Sequence, residues 1–499
     1  MRKIKILLLL LPLISTLFVG CSKLLDKQPI STLSSSQFWK SPDDAQAWMA
    51  GMYDGMQKTL SFSYLEWGEV RSDNLENAGT GLTQVKLLNN GLTSDMSQCD
   101  WTNLYKVISS ANFAIKYIPL TPNVDPNVLK KYLGQAYAMR AFMYFYAIRV
   151  WGEVPLITIP YEGGSQKQFY PRAPMDSLKL QIQSDLDQAV SLLSADPVVF
   201  YINKGGALAM KMDVHMWFHE YDQAIAASDA IIALNQYSLV TNPTDWKSIF
   251  TAPDASKETI FNMYWSYLED GTGSGTASML ASGSNTSNYK AQDSVWYSLV
   301  DRGKQDARMW LCFDTVSMYN NGGHLPIGYL NYSDITKTGK FNVWDYGKQA
   351  FIYYNNSQSD IRIPLYRFAD VMLLRAEALN QVGRKPEAYA IVNSIRSRVG
   401  YTVTVESQLG ANPSTYDVES MILAERKIEF FGEGKRWWDL IRTNRYLTVM
   451  DGVLMKRQAA GGLPLEGFGD PRKVLFPIAS KVFEANPLLV GHQNPPYSE

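Results

Sequence analysis

Cysteine is scarce: there are three in 499 residues, at Cys21, Cys99 and Cys312. That number excludes a disulfide-stapled scaffold and leaves at most one bridge, which spacing alone does not establish. An excess of either charge is missing as well, with 47 Lys and Arg against 48 Asp and Glu. The basic footprint of a nucleic-acid partner is therefore absent. Beyond the first twenty residues, no apolar run approaches the ~20 residues that a membrane-spanning helix needs. Familiar catalytic spacings are lacking too. His215 and His219 stand at i and i+4, but in "HMWFHE" the acid falls outside the pair, unlike H-E-x-x-H, and His324 and His492 suggest no third ligand. They read as core or surface histidines, His219 at a turn, and no metal or cofactor is expected. "GTGSG" (Gly271 to Gly275) lacks both the phosphate-loop spacing and a following helix, and no G-x-S-x-G occurs. It reads as a flexible loop.

What is present begins at the N-terminus. Arg2, Lys3 and Lys5 precede an apolar stretch from Ile6 to Val19, broken by Pro12, Ser15 and Thr16. A basic start, a short apolar region and a small residue are the marks of a secretory signal. Phe18-Val19-Gly20-Cys21 resembles the lipobox of bacterial lipoproteins, with Phe18 where Leu is usual. This gives a signal peptide over 1–20, a lipid anchor on Cys21 and a polar tether over 21–40. Acyl chains hold a membrane through buried methylenes, at about 0.8 kcal/mol each.

The mature chain is long enough for a large core. Its unusual quantity is aromatic, at 13 Trp, 29 Tyr and 20 Phe. Rings not needed inside suit the flat apolar faces of sugars or peptide side chains. Helical patterns dominate. Ser41-Pro42-Asp43-Asp44 opens a helix, with Ser41 as cap, Pro42 in the first turn and two acids at the positive end of the dipole. Further helices are expected over Trp101 to Ile118, Val128 to Trp151, Asp176 to Leu193, Ala207 to Phe218 and Asp222 to Leu234. "ALAMKMDVHMWFHEYDQAIAASDAII" (Ala207 to Ile232) aligns without gaps on "VMLLRAEALNQVGRKPEAYAIVNSIR" (Val371 to Arg396). Each is an apolar helix, a polar turn and a second helix entered through Ala224 or Ala388, the tetratricopeptide pattern. Between these repeats, Asn235 to Ile363 is rich in Gly, Ser, Asn and aromatics, a texture of long functional loops. The closing Pro/Asn-rich stretch is expected to lie across the surface.

Five segments together are similar to one family. "CSKLLDKQPISTLSSSQFWKSPDDA", "RAFMYFYAIRVWGEVPLI", "RFADVMLLRAEALNQVG", "ILAERKIEFFGEGKRWWDLIR" and "LFPIASKVFEANPLLVGHQNPPY" resemble, in order, motifs of the SusD/RagB family of Bacteroidetes outer-membrane lipoproteins. The resemblance implies a mostly α fold, in which tetratricopeptide-like helix pairs form a right-handed scaffold with a large irregular, loop-rich face. A single domain over 41–499, with halves of about 41–200 and 201–499, follows from it. It also implies surface display, binding of a glycan or sometimes a peptide, and a SusC-like TonB-dependent transporter as partner.

Within "ERKIEFFGEGKRWWDLIR", Glu425 and Glu429 share a helical face, and Glu425 could pair with Arg426 or Arg436. Glycosidic acid–base work needs two carboxyls flanking the bond; beside arginines these read as a structural ion-pair network. The first candidate binding segment is "EWGEVRSDN", where Trp67 stands among Glu66, Arg71, Asp73 and Asn74. A sugar site wants a flat ring plus charged and amide groups for hydroxyls. A second set comprises Trp265, Tyr267, Tyr289, Trp296, Trp310, Trp344 and Tyr346, fewer than half of them expected to touch ligand. Trp265 and Tyr267, leading into the Gly/Ser loop, are the preferred pair. Oligosaccharide capture leads, with oligopeptide capture, a Glu66/Asp73 glycosidase and a ligand-free helical adaptor as alternatives.

Overall fold

The computed structural model describes residues 38–77, 81–246, 248–271, 275–280, 288–303, 305–312, 343–345, 350–352, 362 and 364–499. The signal, Cys21 and tether residues 22–37 lie outside these residues; of the expected tether, Phe38 to Lys40 are described, with Trp39 buried. Eleven of the helices, numbered in chain order, are used here: α1 Pro42–Leu60, α2 Thr102–Tyr117, α3 Pro126–Trp151, α4 Met175–Leu192, α5 Lys204–Trp217, α6 Tyr221–Ala233, α7 Phe368–Gln381, α8 Lys385–Ser397, α9 Thr415–Glu429, α10 Arg436–Arg442 and α11 Tyr446–Ala460. The fold is mostly helical, as the sequence implied. None of the described helices is long and apolar enough to cross a membrane.

The start of α1 is built as its sequence dictates. Ser41 Oγ accepts the Asp44 N–H at 3.3 Å, and Asp44 Oδ2 accepts the Ser41 N–H at 2.9 Å, a reciprocal cap ahead of Pro42. Helix α3 is the axis of the molecule. Every residue from Ala138 to Trp151 is buried, so this helix is enclosed on all sides, with α2 and α4 packed along it. It stops at Gly152, whose φ of 74° ends the helix in a conformation that glycine adopts without strain.

From α4 the chain stacks in sequence order, α4 on α5, α5 on α6, α6 on α7 and α7 on α8, with α9 also against α7. The internal repeat is visible in its turns. His219 in the first unit and Gly383 in the second hold equivalent positions, and both have positive φ, 58° and 83°. The bonds that close the two turns match as well: Glu220 N–H to His215 C=O and Arg384 N–H to Leu379 C=O, both 2.8 Å. Ala224 and Ala388 are fully buried where the second helices enter. Small side chains there let neighbouring helices approach closely.

Among the described residues, six short strands form three antiparallel pairs. Strand β1 (Leu75–Asn77) pairs with β3 (Tyr289–Ala291), Leu75 opposite Ala291. Strand β2 (Thr259–Asn262) pairs with β6 (Pro364–Arg367), Thr259 opposite Arg367, and β4 (Val343–Asp345) with β5 (Ala350–Ile352), Val343 opposite Ile352. They clip loops rather than form a sheet core.

The C-terminal stretch departs from expectation. Phe476, Ile478, Phe483 and Leu489 are buried, the Phe476 N–H bonds to Val150 C=O at 2.8 Å, and Asn494 Nδ2 donates to both Trp151 and Phe476 carbonyls at 2.8 Å. The segment caps the end of α3 instead of only lying over it, because its alternating apolar residues complete that part of the core. Cys99 and Cys312 do not bridge each other; both thiols are buried, and Cys99 Sγ donates to the Thr93 carbonyl at 3.4 Å.

Candidate ligand-binding site

The segment Glu66–Asn74 is interior, which corrects its reading as a binding face. Trp67 is 2% exposed, packed at 5.3 Å against the Trp151 ring, with its indole N–H on the Gln98 carbonyl at 3.0 Å. A ring so covered offers no face to a sugar. Arg71 lies between the Trp437 and Phe476 rings, 4.5 and 4.9 Å from their centroids, and donates to the Val474 carbonyl at 2.9 Å. Asp73 receives Arg436 Nε and Lys427 Nζ, both at 2.7 Å. Burial alone would raise the Asp73 carboxyl, but those two cations outweigh it and hold it well below the usual carboxylate range. Asn74 donates to Glu69 at 2.6 Å, and Glu69 accepts the Gly432 and Lys435 N–H groups at 3.1 Å each. Glu66 accepts from Gln98 Nε2 at 2.8 Å, and burial pushes its carboxyl up to about 7. The segment ties the N-terminal half to the α9–α10 region. Asp73 is consumed in this role, while Glu66 is buried beside Gln98 in the N-terminal half.

The same holds for Glu425 and Glu429. Glu425 pairs with Arg308 at 2.7 Å, Arg396 at 2.8 Å and Arg302 at 3.0 Å, while Arg426 serves Asp439 and Asp370, and Arg436 serves Asp73. Glu429 meets Arg367 at 2.6 Å and Arg308 at 2.9 Å. The network is architectural, as its alternation with aromatics implied, but its partners come from distant segments rather than from Arg426 or Arg436. His215 Nδ1 contacts Glu220 at 2.6 Å and His219 Nδ1 contacts the Tyr221 hydroxyl at 2.8 Å, so each histidine has a local partner.

An accessible site is assembled elsewhere, beside α1. One helix face presents Ala50, Tyr53, Asp54 and Gln57, at the i, i+3, i+4, i+7 spacing that aligns side chains. Two chain segments are tied opposite it. The Asn262 N–H at the end of β2 bonds to Val199 C=O at 2.7 Å, and the Ile202 N–H bonds to the Tyr53 hydroxyl at 3.0 Å. These bonds set Phe200 and Tyr201 beside Tyr264. Past β2, a short helical turn Tyr267–Asp270 is closed by Asp270 Oδ2 accepting the Ser266 N–H at 2.8 Å. Gln57 Nε2 reaches across to the Tyr264 carbonyl at 2.8 Å and to Asp270 at 3.1 Å.

The result is a cavity of about 450 Å³, within the size range of small-molecule sites. Its wall is aromatic: Tyr53 packs at 85° to Tyr201 with centroids 4.9 Å apart, and Phe200 at 79° to Tyr264 at 5.1 Å. Its rim is acidic, from Asp54, Glu269 and Asp270. Partial burial and a hydrogen bond shared with Glu269 raise the Tyr264 hydroxyl above its ordinary range. Tyr201 is 45% exposed and is the ring most open to solvent in this wall. Flat rings beside carboxylates and an amide are what a hydroxyl-rich, partly apolar ligand requires.

A SusD-like protein of Formosa agariphila is 32% identical to this chain over 507 aligned positions, covering 96% of each. The chain belongs to the SusD family. Residues 263–497 match the family described as "SusD family", and residues 23–214 match one described as "Starch-binding associating with outer membrane". Among solved structures, a laminarin binding SusD-like protein superposes with a TM-score of 0.69 at 21% identity, covering 92% of this chain and 100% of the other. A SusD superfamily protein of Bacteroides thetaiotaomicron gives 0.70 at 21% identity over 92% and 99%. These two likenesses establish the fold.

Among the loop aromatics of this SusD-family chain, two are placed inside. Trp265 is 5% exposed, and Tyr289 is fully buried on β3 beside the β1 strand. Neither can stack on a ligand. The side chains of Tyr267, Trp296, Trp310 and Trp344 and all of Tyr346 lie outside the described residues, although the backbones of the first four are placed. The cavity rings Tyr53, Phe200, Tyr201 and Tyr264 escaped the sequence reading. A signal existed at Tyr264: it lies just past strand β2 and next to Trp265, and adjacent side chains of extended chain point to opposite sides, so only one of the two rings could face outward.

Proposed function

We propose that this SusD-family chain is a non-enzymatic, cell-surface lipoprotein, anchored at the outer membrane through Cys21, that captures oligosaccharide and passes it to a SusC-like TonB-dependent transporter. The observation that carries the reading is the open aromatic cavity beside α1, with its carboxylate rim. It is supported by the family's description as outer-membrane associated and by a laminarin-binding neighbour of the same fold. Tyr267 adjoins the cavity in sequence, and with Trp296 and Trp344 it completes the proposed ligand-facing set. Affinity per site is modest, since a few rings and hydroxyl bonds act together.

Titration calorimetry of the mature chain against glycan and mixed-oligopeptide panels tests capture. Heat with glycans supports the proposal; heat with peptides alone selects peptide capture instead. Release of reducing ends by the purified chain would contradict the non-enzymatic reading. Cys21→Ala is expected to move the protein from the membrane fraction to the soluble fraction of cell lysates.

A further inference from the structure

The cavity's unspent hydrogen-bonding capacity is weighted towards acceptors. Gln57 commits its amide N–H groups to the Tyr264 carbonyl and to Asp270. Among the described residues, the rim then offers the carboxylate oxygens of Asp54, Glu269 and Asp270, which only accept, beside the Tyr53 and Tyr201 hydroxyls, which can also donate. Three carboxylates favour a ligand that donates, and sugar hydroxyls do. Two cations stand nearby among the described residues. Lys58 Nζ is held by Asp54 at 2.8 Å, and the Arg362 guanidinium lies against the aromatic wall, 5.4 Å from the Phe200 ring and 5.7 Å from the Tyr264 ring. Three carboxylates against two cations leave the rim net negative. A uronate or sulfated sugar would bring further negative charge to a rim that already carries a net negative charge.

Resting on the glycan-capture reading above, we propose that this cavity binds a neutral pyranose unit, with Tyr201 as its stacking ring, and rejects acidic sugars. Tyr201 has the exposure to meet a ligand and is braced by Tyr53, whose hydroxyl is fixed by the Ile202 N–H. The site is thus rigid at its base and open at its rim, the arrangement that limits ordering cost on binding.

The test is calorimetry of the full mature chain with neutral gluco-, galacto- and manno-oligosaccharides and with uronate and sulfated oligosaccharides of matched length. Neutral ligands are expected to bind, and acidic ones to bind roughly tenfold more weakly or not at all. Tyr201→Ala should weaken neutral binding about tenfold. The double variant Asp54→Asn/Glu269→Gln changes two exposed side chains, and it should restore binding of the acidic ligands. Equal binding of acidic and neutral ligands would overturn the proposal, as would glycan binding indifferent to Tyr201→Ala; either leaves glycan capture standing at another site. Absence of binding to any glycan overturns both.

Discussion

Two carboxylates seven residues apart are buried, yet their surroundings push them in opposite directions. Glu66 meets the neutral amide of Gln98, and burial raises it to about 7. An unfolded chain releases that proton near 4.3, so the folded state is progressively disfavoured as pH rises between these two values. Glu66→Gln keeps the acceptor for Gln98. It is expected to flatten this decline and to raise stability at pH 8 by about 3 kcal/mol, read from urea midpoints at pH 5 and pH 8. Asp73 behaves in reverse. Its carboxyl is held low against the cost of burial by Arg436 and Lys427, so its stabilisation is complete above about pH 4 and is lost as acid protonates it. Asp73→Asn leaves two buried cations short of a partner and should cost about 3–5 kcal/mol at neutral pH, with a shallower acid limb in the urea series. No change in midpoint would remove Asp73 from its assigned role.

At the scale of elements, the five-residue π-turn Glu66–Val70 passes so close to the Glu433–Gly434 turn that there is no room for a side chain. A Cβ on Gly68 would lie 2.1 Å from the Gly434 carbonyl oxygen and 2.8 Å from Trp438 Nε1. Gly68→Ala should therefore destabilise by about 1–3 kcal/mol or more. Gly51, on the exposed side of α1 with no atom within 4 Å of its would-be Cβ, provides the contrast: Gly51→Ala should stabilise by about 0.5–1 kcal/mol through helix propensity. Melting temperatures of the two variants moving in opposite directions is the expected result. These elements were legible to different degrees. The start of α1 and the paired repeats could be read from local signals, because caps, small residues and apolar spacing act within a few turns. The role of "EWGEVRSDN" could not, since what buries it, Arg436, Lys427 and Trp437, stands more than 350 residues away in sequence. Mixed aromatic and charged residues look the same on an open face and in a closed ion-paired seam.

For the whole molecule, the helical scaffold and the cavity answer to different rules. The scaffold repeats, so one unit announces the next: His219 and Gly383 occupy matching left-handed turns. The cavity draws on three non-repeating pieces, one face of α1, the Phe200–Tyr201 turn and the Tyr264–Asp270 segment. No periodicity links them; hydrogen bonds from Asn262 to Val199 and from Ile202 to Tyr53 do. A scaffold that fixes such pieces at its edge can vary its ligand by changing them while keeping its core.

The most direct measurement is a crystal structure of the mature chain with a neutral oligosaccharide that binds in calorimetry. The account expects a pyranose ring against Tyr201, with hydroxyls on Asp54 or Glu269. Electron density for the sugar at some other face, with the α1 cavity holding solvent alone, would contradict it.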